Sequence, residues 1–314
     1  MIPAILAACA LPMLLVGAHA AYSAWVARRH PPEGESFNAH GARQHGVTRG
    51  SGPLVVLLHG ADGVHHDFPP ALIDMLATDH TVLALDRPGH GHSARVPGMH
   101  GLAAHSAALR AVLRARTMGP AILVGHSYGA IVALRTALDE PALVRAVLAV
   151  TPVFATDARN QRWARIATWG PIATLTAWTC TLPVALAATP AIRSDAWYPV
   201  VPPSGLSASR AFPLRPAQLL VAVDDLRRLG PDLASLVADL SRLAVPLTVL
   251  AGELDRITPW ETHALALHQR VAGSYLVRVA DGGHWLMRQR PECVFEQVQR
   301  LTHMAHGVRA TEQE

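Results

Sequence analysis

The chain reads as an α/β protein: a mostly parallel sheet with helices on both faces, a long helical insertion and a hydrophobic N-terminal helix. Three observations predict this. Short continuous apolar runs alternate with segments of helical period, which implies parallel strands joined by right-handed crossovers. The alternation stops for roughly ninety residues and then resumes, so a segment is inserted into the sheet. Ahead of both lie 25 residues, Ile2 to Val26, without Asp, Glu, Lys or Arg.

The N-terminal run is long enough to cross a hydrocarbon core of about 30 Å. Arg28, Arg29 and His30 follow, then a linker-like Pro31-Pro32-Glu33-Gly34. An uncleaved single-pass anchor fits this length, and arginines on its C-terminal side place the main domain in the cytoplasm. The alternative is a signal peptide cleaved near Ala18-His19-Ala20, with export of the rest. Nothing basic precedes the apolar run, which speaks against it.

Leu54–Leu58 is a fully apolar run ending at His59-Gly60, the pattern of a buried strand. Asp67 to Ala77 has helical spacing. Thr81–Leu85 is a second buried strand, stopped by Asp-Arg-Pro-Gly-His-Gly-His-Ser from Asp86 to Ser93. Leu102 to Arg116 is an amphipathic helix. Ala121–Val124 is a strand, Ala130–Leu138 a helix and Leu143–Val150 a strand. Between Val153 and Leu243 no buried strand is evident. Pro246–Leu250, a helix near Glu261–Val271, Tyr275–Val279 and a last helix from about Pro291 to Met304 complete the pattern. The expected division is an anchor or signal at 1–30, a core made of 31–152 and 244–314, and a helical insertion at 153–243.

Composition narrows the function. Hydrophobic residues make up 50% of the 314, enough for a substantial core. The net charge is +4, and all 27 basic side chains other than histidine are Arg. They are scattered and not interleaved with aromatics, which argues against a nucleic-acid partner. Cys9, Cys180 and Cys293 are too far apart for a disulfide framework or a zinc site. His65-His66 and His90-x-His92 are the tightest histidine groups, but no His-Glu-x-x-His occurs. No metal and no cofactor is expected.

Gly125-His126-Ser127-Tyr128-Gly129 sits between a strand and a helix. A serine on such a turn is held in a strained conformation that lifts its hydroxyl clear of the sheet, and its neighbours two residues away must be small. The plain account is a tight turn that contains a hydroxyl; the chemical account is a nucleophile. A serine nucleophile needs a base, and the base needs a partner that orients it. Asp255 follows one strand end in Gly252-Glu253-Leu254-Asp255, and His284 follows another in Gly282-Gly283-His284. C-terminal ends of parallel strands share one sheet edge, so Ser127, Asp255 and His284 can meet there. The plain account of Asp255 is a helix N-cap, since Pro259 and an apolar-periodic helix follow, and that of His284 is an ordinary loop histidine; the order Ser, Asp, His favours the joint reading. The N–H groups of Ala61, in the loop after the first strong strand, and of Tyr128 are the nominated oxyanion donors, with Asp62 and Gly63 shaping that loop.

With these residues in view, the chain resembles the α/β-hydrolase superfamily in its serine-nucleophile, capped, esterase- and lipase-like branch. "HG" after the third strand, "GHSxG" at the turn and a "GxxD…GH" tail carry the resemblance, over about Phe37 to His306. It implies an eight-stranded sheet, with Phe37–Arg49 supplying two antiparallel strands, and a cap made of residues 153–243. It implies Ser127 as nucleophile, His284 as base and Asp255 as acid. Related branches carry Asp at the nucleophile position; Ser127 favours acyl transfer to water. Ala130 stands where many relatives have a second Gly.

Ile166 to Ile192 contains no charged residue. A span here would pull the two halves of the sheet apart, so it reads as apolar cap helices against the bilayer surface. Trp163, Trp169, Trp178 and Trp197 fall in or beside it, either as cap packing or as the wall of an acyl-binding tunnel. The function expected is hydrolysis of a hydrophobic carboxylic ester. A lactonase, a C–C bond hydrolase using Arg159, Arg162 and Arg165, or a cofactor-free perhydrolase would use the same triad. A non-catalytic fold-mate that binds a hydrophobic ligand or partner is the reading from another class.

Overall fold

The computed structural model describes residues 2–116, 118–156, 170–181, 183 and 208–311. Its centre is an eight-stranded sheet of β1 (Glu35–Ala39), β2 (Ala42–Arg49), β3 (Leu54–Leu58), β4 (Thr81–Leu85), β5 (Ala121–His126), β6 (Val144–Val150), β7 (Leu247–Gly252) and β8 (Tyr275–Val279). The spatial order is β1-β2-β4-β3-β5-β6-β7-β8. β2 pairs antiparallel with β1 and β4, and all other pairs are parallel. β3, β4, β5 and β7 are buried along their whole length. Their unbroken apolar runs follow from this, because both faces are covered.

Helices α2 (Pro70–Leu76), α3 (Gly101–Arg116) and α4 (Tyr128–Asp139) connect the first strands. Alternate residues of each strand feed two cores. Val56, Leu58 and Leu123 pack with Leu109, Ile131 and Leu134 of α3 and α4 on one face. Val55, Leu57 and Val124 pack with Leu72 of α2 and Val294, Val298 and Leu301 of the last helix on the other.

Among the described residues, the segment between β6 and β7 is helical. It holds α5 (Gly170–Thr179), a short turn at Ala208–Ala211, and the long α6 (Pro216–Asp239). α6 buries Gln218, Ala222, Asp225, Leu229, Leu233 and Leu236. That spacing marks one helical face, and it lies on α3 and α4. α7 (Ala264–Arg270) and α8 (Pro291–Thr311) follow β7 and β8.

The N-terminal helix α1 runs from Ile2 to Arg29. Ala10–Arg29 is long and apolar enough to cross a membrane and mostly unburied. Its end departs from the expected free anchor on a linker. Val26 is fully buried in a cluster with Val64, Ala208, Ala211 and Phe212, and the Tyr22 hydroxyl donates to Ala211 O at 3.1 Å. The last turns of α1 carry apolar side chains that find a complementary face only in the folded chain.

Candidate active site

Ser127 joins β5 to α4 with φ 53° and ψ −114°. An L-residue in this region costs on the order of 1–3 kcal/mol and persists only where its surroundings impose it. The surroundings are the two glycines. A Cβ on Gly125 would lie 2.3 Å from Gly129 O, and one on Gly129 would lie 2.2 Å from Leu58 O. Helix and strands therefore approach more closely than any side chain permits. Ser127 N–H donates to Val150 O at 3.0 Å, which ties the turn to β6.

Asp255 follows β7 and His284 follows β8, and the structure brings them together: His284 Nδ1 lies 2.8 Å from Asp255 Oδ2. The other carboxylate oxygen accepts the N–H groups of Ile257 and Thr258, both at 2.8 Å. Asp255 therefore pairs with His284 through one oxygen and closes the turn at Ile257 and Thr258 through the other; it caps no helix, because the next helix begins only at Ala264, with His263 at its N-cap. Burial pushes the Asp255 carboxyl up, but the His284 and Thr258 hydrogen bonds outweigh it and leave it lowered, hence ionised. Ser127 and His284 line the same cavity. Among the described residues no hydrogen bond joins them, a separation common before substrate binds.

Three residues missed in the sequence support His284. Thr258 Oγ1 donates to Asp255 Oδ2 at 2.7 Å. Thr151 Oγ1 and His126 Nε2 both donate to the carbonyl of His284 at 2.9 Å. Thr151 has φ 41° at the end of β6, a strain no residue pattern announces. Burial drives His126 well below its ordinary pKa, so its ring is neutral. His263 also went unread. Its Nδ1 accepts the N–H groups of Phe154 and Ala155 at 2.9 and 3.1 Å. That fixes the tautomer with hydrogen on Nε2, in a ring that lines the cavity.

The cavity holds about 920 Å³. Ala61 and Tyr128 line it, and among the described residues neither backbone N–H has an acceptor. Leu219, Val223, Leu226 and Leu229 of α6 with Val153 and Ile257 give it an apolar wall. Trp178 lies elsewhere, in a groove with Val16 and Leu175 between α1 and α5. Trp163, Trp169, Trp197, Arg159, Arg162 and Arg165 lie outside the described residues.

His45, His65 and Asp86 form a buried trio whose ligand atoms lie within 4.8 Å of one another, close enough to hold a metal ion. Asp86 is satisfied without one. It accepts from His45 Nδ1 at 2.8 Å, His65 Nδ1 at 3.0 Å, and the backbone N–H groups of His65 and His92 at 2.8 and 3.0 Å. An ion would cost two of these four bonds.

Known proteins agree with this architecture. A protein of Burkholderia ambifaria described as an alpha/beta hydrolase fold protein superposes with TM-score 0.70 at 23% identity, covering 84% of this chain and 96% of that one. An esterase from Exiguobacterium antarcticum superposes with TM-score 0.63 at 18% identity, covering 86% and 100%. In sequence, the 2-(acetamidomethylene)succinate hydrolase of Mesorhizobium japonicum is 35% identical over 120 residues, 38% of this chain and 43% of that protein. The pimeloyl-[acyl-carrier protein] methyl ester esterase of Methylococcus capsulatus is 38% identical over 112 residues, 35% of this chain and 42% of that protein. The chain thus aligns with less than half the length of these curated relatives. Residues 55–297 match the sequence model of the alpha/beta hydrolase family, and the chain belongs to that family.

Proposed function

We propose that this chain is a serine hydrolase of hydrophobic carboxylic esters. The observation that carries it is Ser127 on a strained turn, opening into a cavity that His284 also lines, with Asp255 hydrogen-bonded to the Nδ1 of His284. Ser127 Oγ attacks the ester carbonyl while His284 Nε2 takes its proton. Asp255 holds Nδ1–H and balances the imidazolium. The N–H groups of Ala61 and Tyr128 receive the oxyanion. Collapse breaks the C–O bond, His284 returns the proton to the leaving alcohol, and the acyl group stays on Ser127. Water, deprotonated by His284, then releases the acid and restores the serine.

The apolar wall contributed by α6, which acts as a cap, favours hydrophobic acyl or alcohol groups. Helix α1, with Arg28 and Arg29 at its end, supports attachment to a membrane with the catalytic domain on the cytoplasmic side.

The test is labelling with a fluorophosphonate probe and peptide mapping, on wild type, Ser127→Ala and His284→Ala. The label is expected on Ser127, absent in Ser127→Ala and at least about 100-fold slower in His284→Ala. A folded wild type that takes up no label and cleaves no p-nitrophenyl ester from acetyl to octanoyl overturns the proposal in favour of a binding protein.

A further inference from the structure

We infer that Arg87 is the positioning residue of the oxyanion hole and that Asp225, on the cap helix α6, holds Arg87 in place. The seating of the cap then sets how well the Ala61 N–H meets a developing oxyanion. The inference rests on the serine-hydrolase reading above.

Arg87 follows β4, and its side chain is 1% exposed. Its Nε–H donates to His59 O at 3.1 Å. Nη2 donates to Gly60 O at 2.7 Å and to Ala61 O at 3.0 Å. Nη1 donates to Asp225 Oδ2 at 3.1 Å. Three consecutive carbonyls are thus gathered onto one fork, a geometry that an ammonium group does not reproduce.

The bond to Gly60 O, the shortest of three that this oxygen accepts beside those from His59 Nδ1 at 2.9 Å and Gly63 N–H at 3.3 Å, helps set the direction of a catalytic donor. Gly60 C=O and Ala61 N–H belong to one planar trans peptide, so they point to opposite sides. With the oxygen drawn to a buried guanidinium, the N–H faces away from it, on the cavity side. The cation also polarises that amide and strengthens its N–H as a donor. The same guanidinium carbon lies 4.8 Å from the centre of the Tyr128 ring. One side chain therefore touches both residues whose N–H groups form the hole.

A buried guanidinium needs a counter-charge, and the cap supplies it. Burial pushes the Asp225 carboxyl up, but His105 and Arg87 outweigh it and it ends lowered, hence ionised. His105, kept neutral by burial, donates to Asp225 from Nε2 at 2.8 Å. Two turns earlier on the same face of α6, Gln218 donates to Asp62 O at 3.1 Å and Gly63 O at 3.2 Å. Helix α6 therefore grips the donor loop at both ends. Simple neutralisation of a buried charge explains the ion pair, but not its concentration on the carbonyls around one N–H.

Arg87→Lys, Arg87→Met and Asp225→Asn are compared with wild type in the full chain. Steady-state hydrolysis of p-nitrophenyl hexanoate gives kcat and KM. Inhibition by hexylboronic acid, whose tetrahedral adduct with serine occupies the oxyanion hole, gives Ki. Thermal unfolding reports the fold. For the Arg87 variants kcat is expected to fall about 10- to 100-fold with KM within about threefold, and Ki to rise by the same factor as kcat falls. Asp225→Asn preserves the shape and is expected to lose about tenfold along the same line; it decides the matter if the Arg87 variants do not fold. Folded variants with lowered thermal midpoints but kcat and Ki within about threefold of wild type overturn the inference and leave Arg87 a structural ion pair. A wild type that neither cleaves the ester nor takes up fluorophosphonate overturns instead the reading on which the inference stands.

Discussion

At the scale of single residues, burial decides which titratable groups carry charge. Asp255 and Asp225 stay ionised because hydrogen bonds and neighbouring charge outweigh burial. Asp67 is the opposite case. It is 1% exposed, and burial raises its carboxyl to about 7 against the pull of Arg288. Its folded pKa lies above the unfolded value. Its contribution to stability is therefore full below about pH 4 and is lost as pH rises through about 7. Asp67→Asn removes that titration. Thermal unfolding is expected to find the Asn chain more stable than wild type at pH 8, by up to about 4 kcal/mol, with the gap closing towards pH 4.5. A gap that widens on acidification contradicts the assignment. None of this is legible in His65-His66-Asp67, because the burial is tertiary and the opposing charge, Arg288, comes from a segment more than two hundred residues away.

At the scale of elements, the turn at Ser127 shows what a short motif encodes. Gly-x-Ser-x-Gly specifies close approach on both sides of the serine, and the contacts of Gly125 and Gly129 bear this out. The motif also holds the serine at φ 53°, so the strain belongs to the element. Ser127→Gly is expected to raise stability by about 1 kcal/mol, since glycine accepts this conformation and the relief exceeds its entropy cost. It should abolish labelling. A Ser127→Gly chain less stable than wild type in denaturant unfolding would show that the turn is not strained. The β1–β2 hairpin was legible only through family resemblance. Its strands are polar, and its turn rests on left-handed φ values at His40 and Gly41, 52° and 78°, which the side chains hardly signal. The inner strands were legible to within a residue or two, because burial on both faces demands unbroken apolar runs.

At the scale of the whole molecule, α1 is at once a candidate span and part of the folded body. Removal of residues 1–18 leaves Tyr22 and Val26 docked, and is expected to release the chain from membranes with its thermal midpoint unchanged. Removal of residues 1–30 takes both away and is expected to cost about 2–4 kcal/mol. Membrane fractionation and thermal unfolding of the two shortened chains check this; equal losses would place the stabilising contacts elsewhere. What the sequence by itself determined is the order of the strands from β3 onward and of the helices between them, the serine turn, and the two strand ends that carry Asp255 and His284. These depend on periodicity and on local steric demands, which are written in consecutive residues. Only the tertiary structure decided that Arg87 meets Asp225, that Gln218 holds the Asp62–Gly63 loop, that His126 and Thr151 support His284, and that His263 has a fixed tautomer. A buried polar group must find a partner, but which partner it finds depends on how elements more than a hundred residues apart pack together.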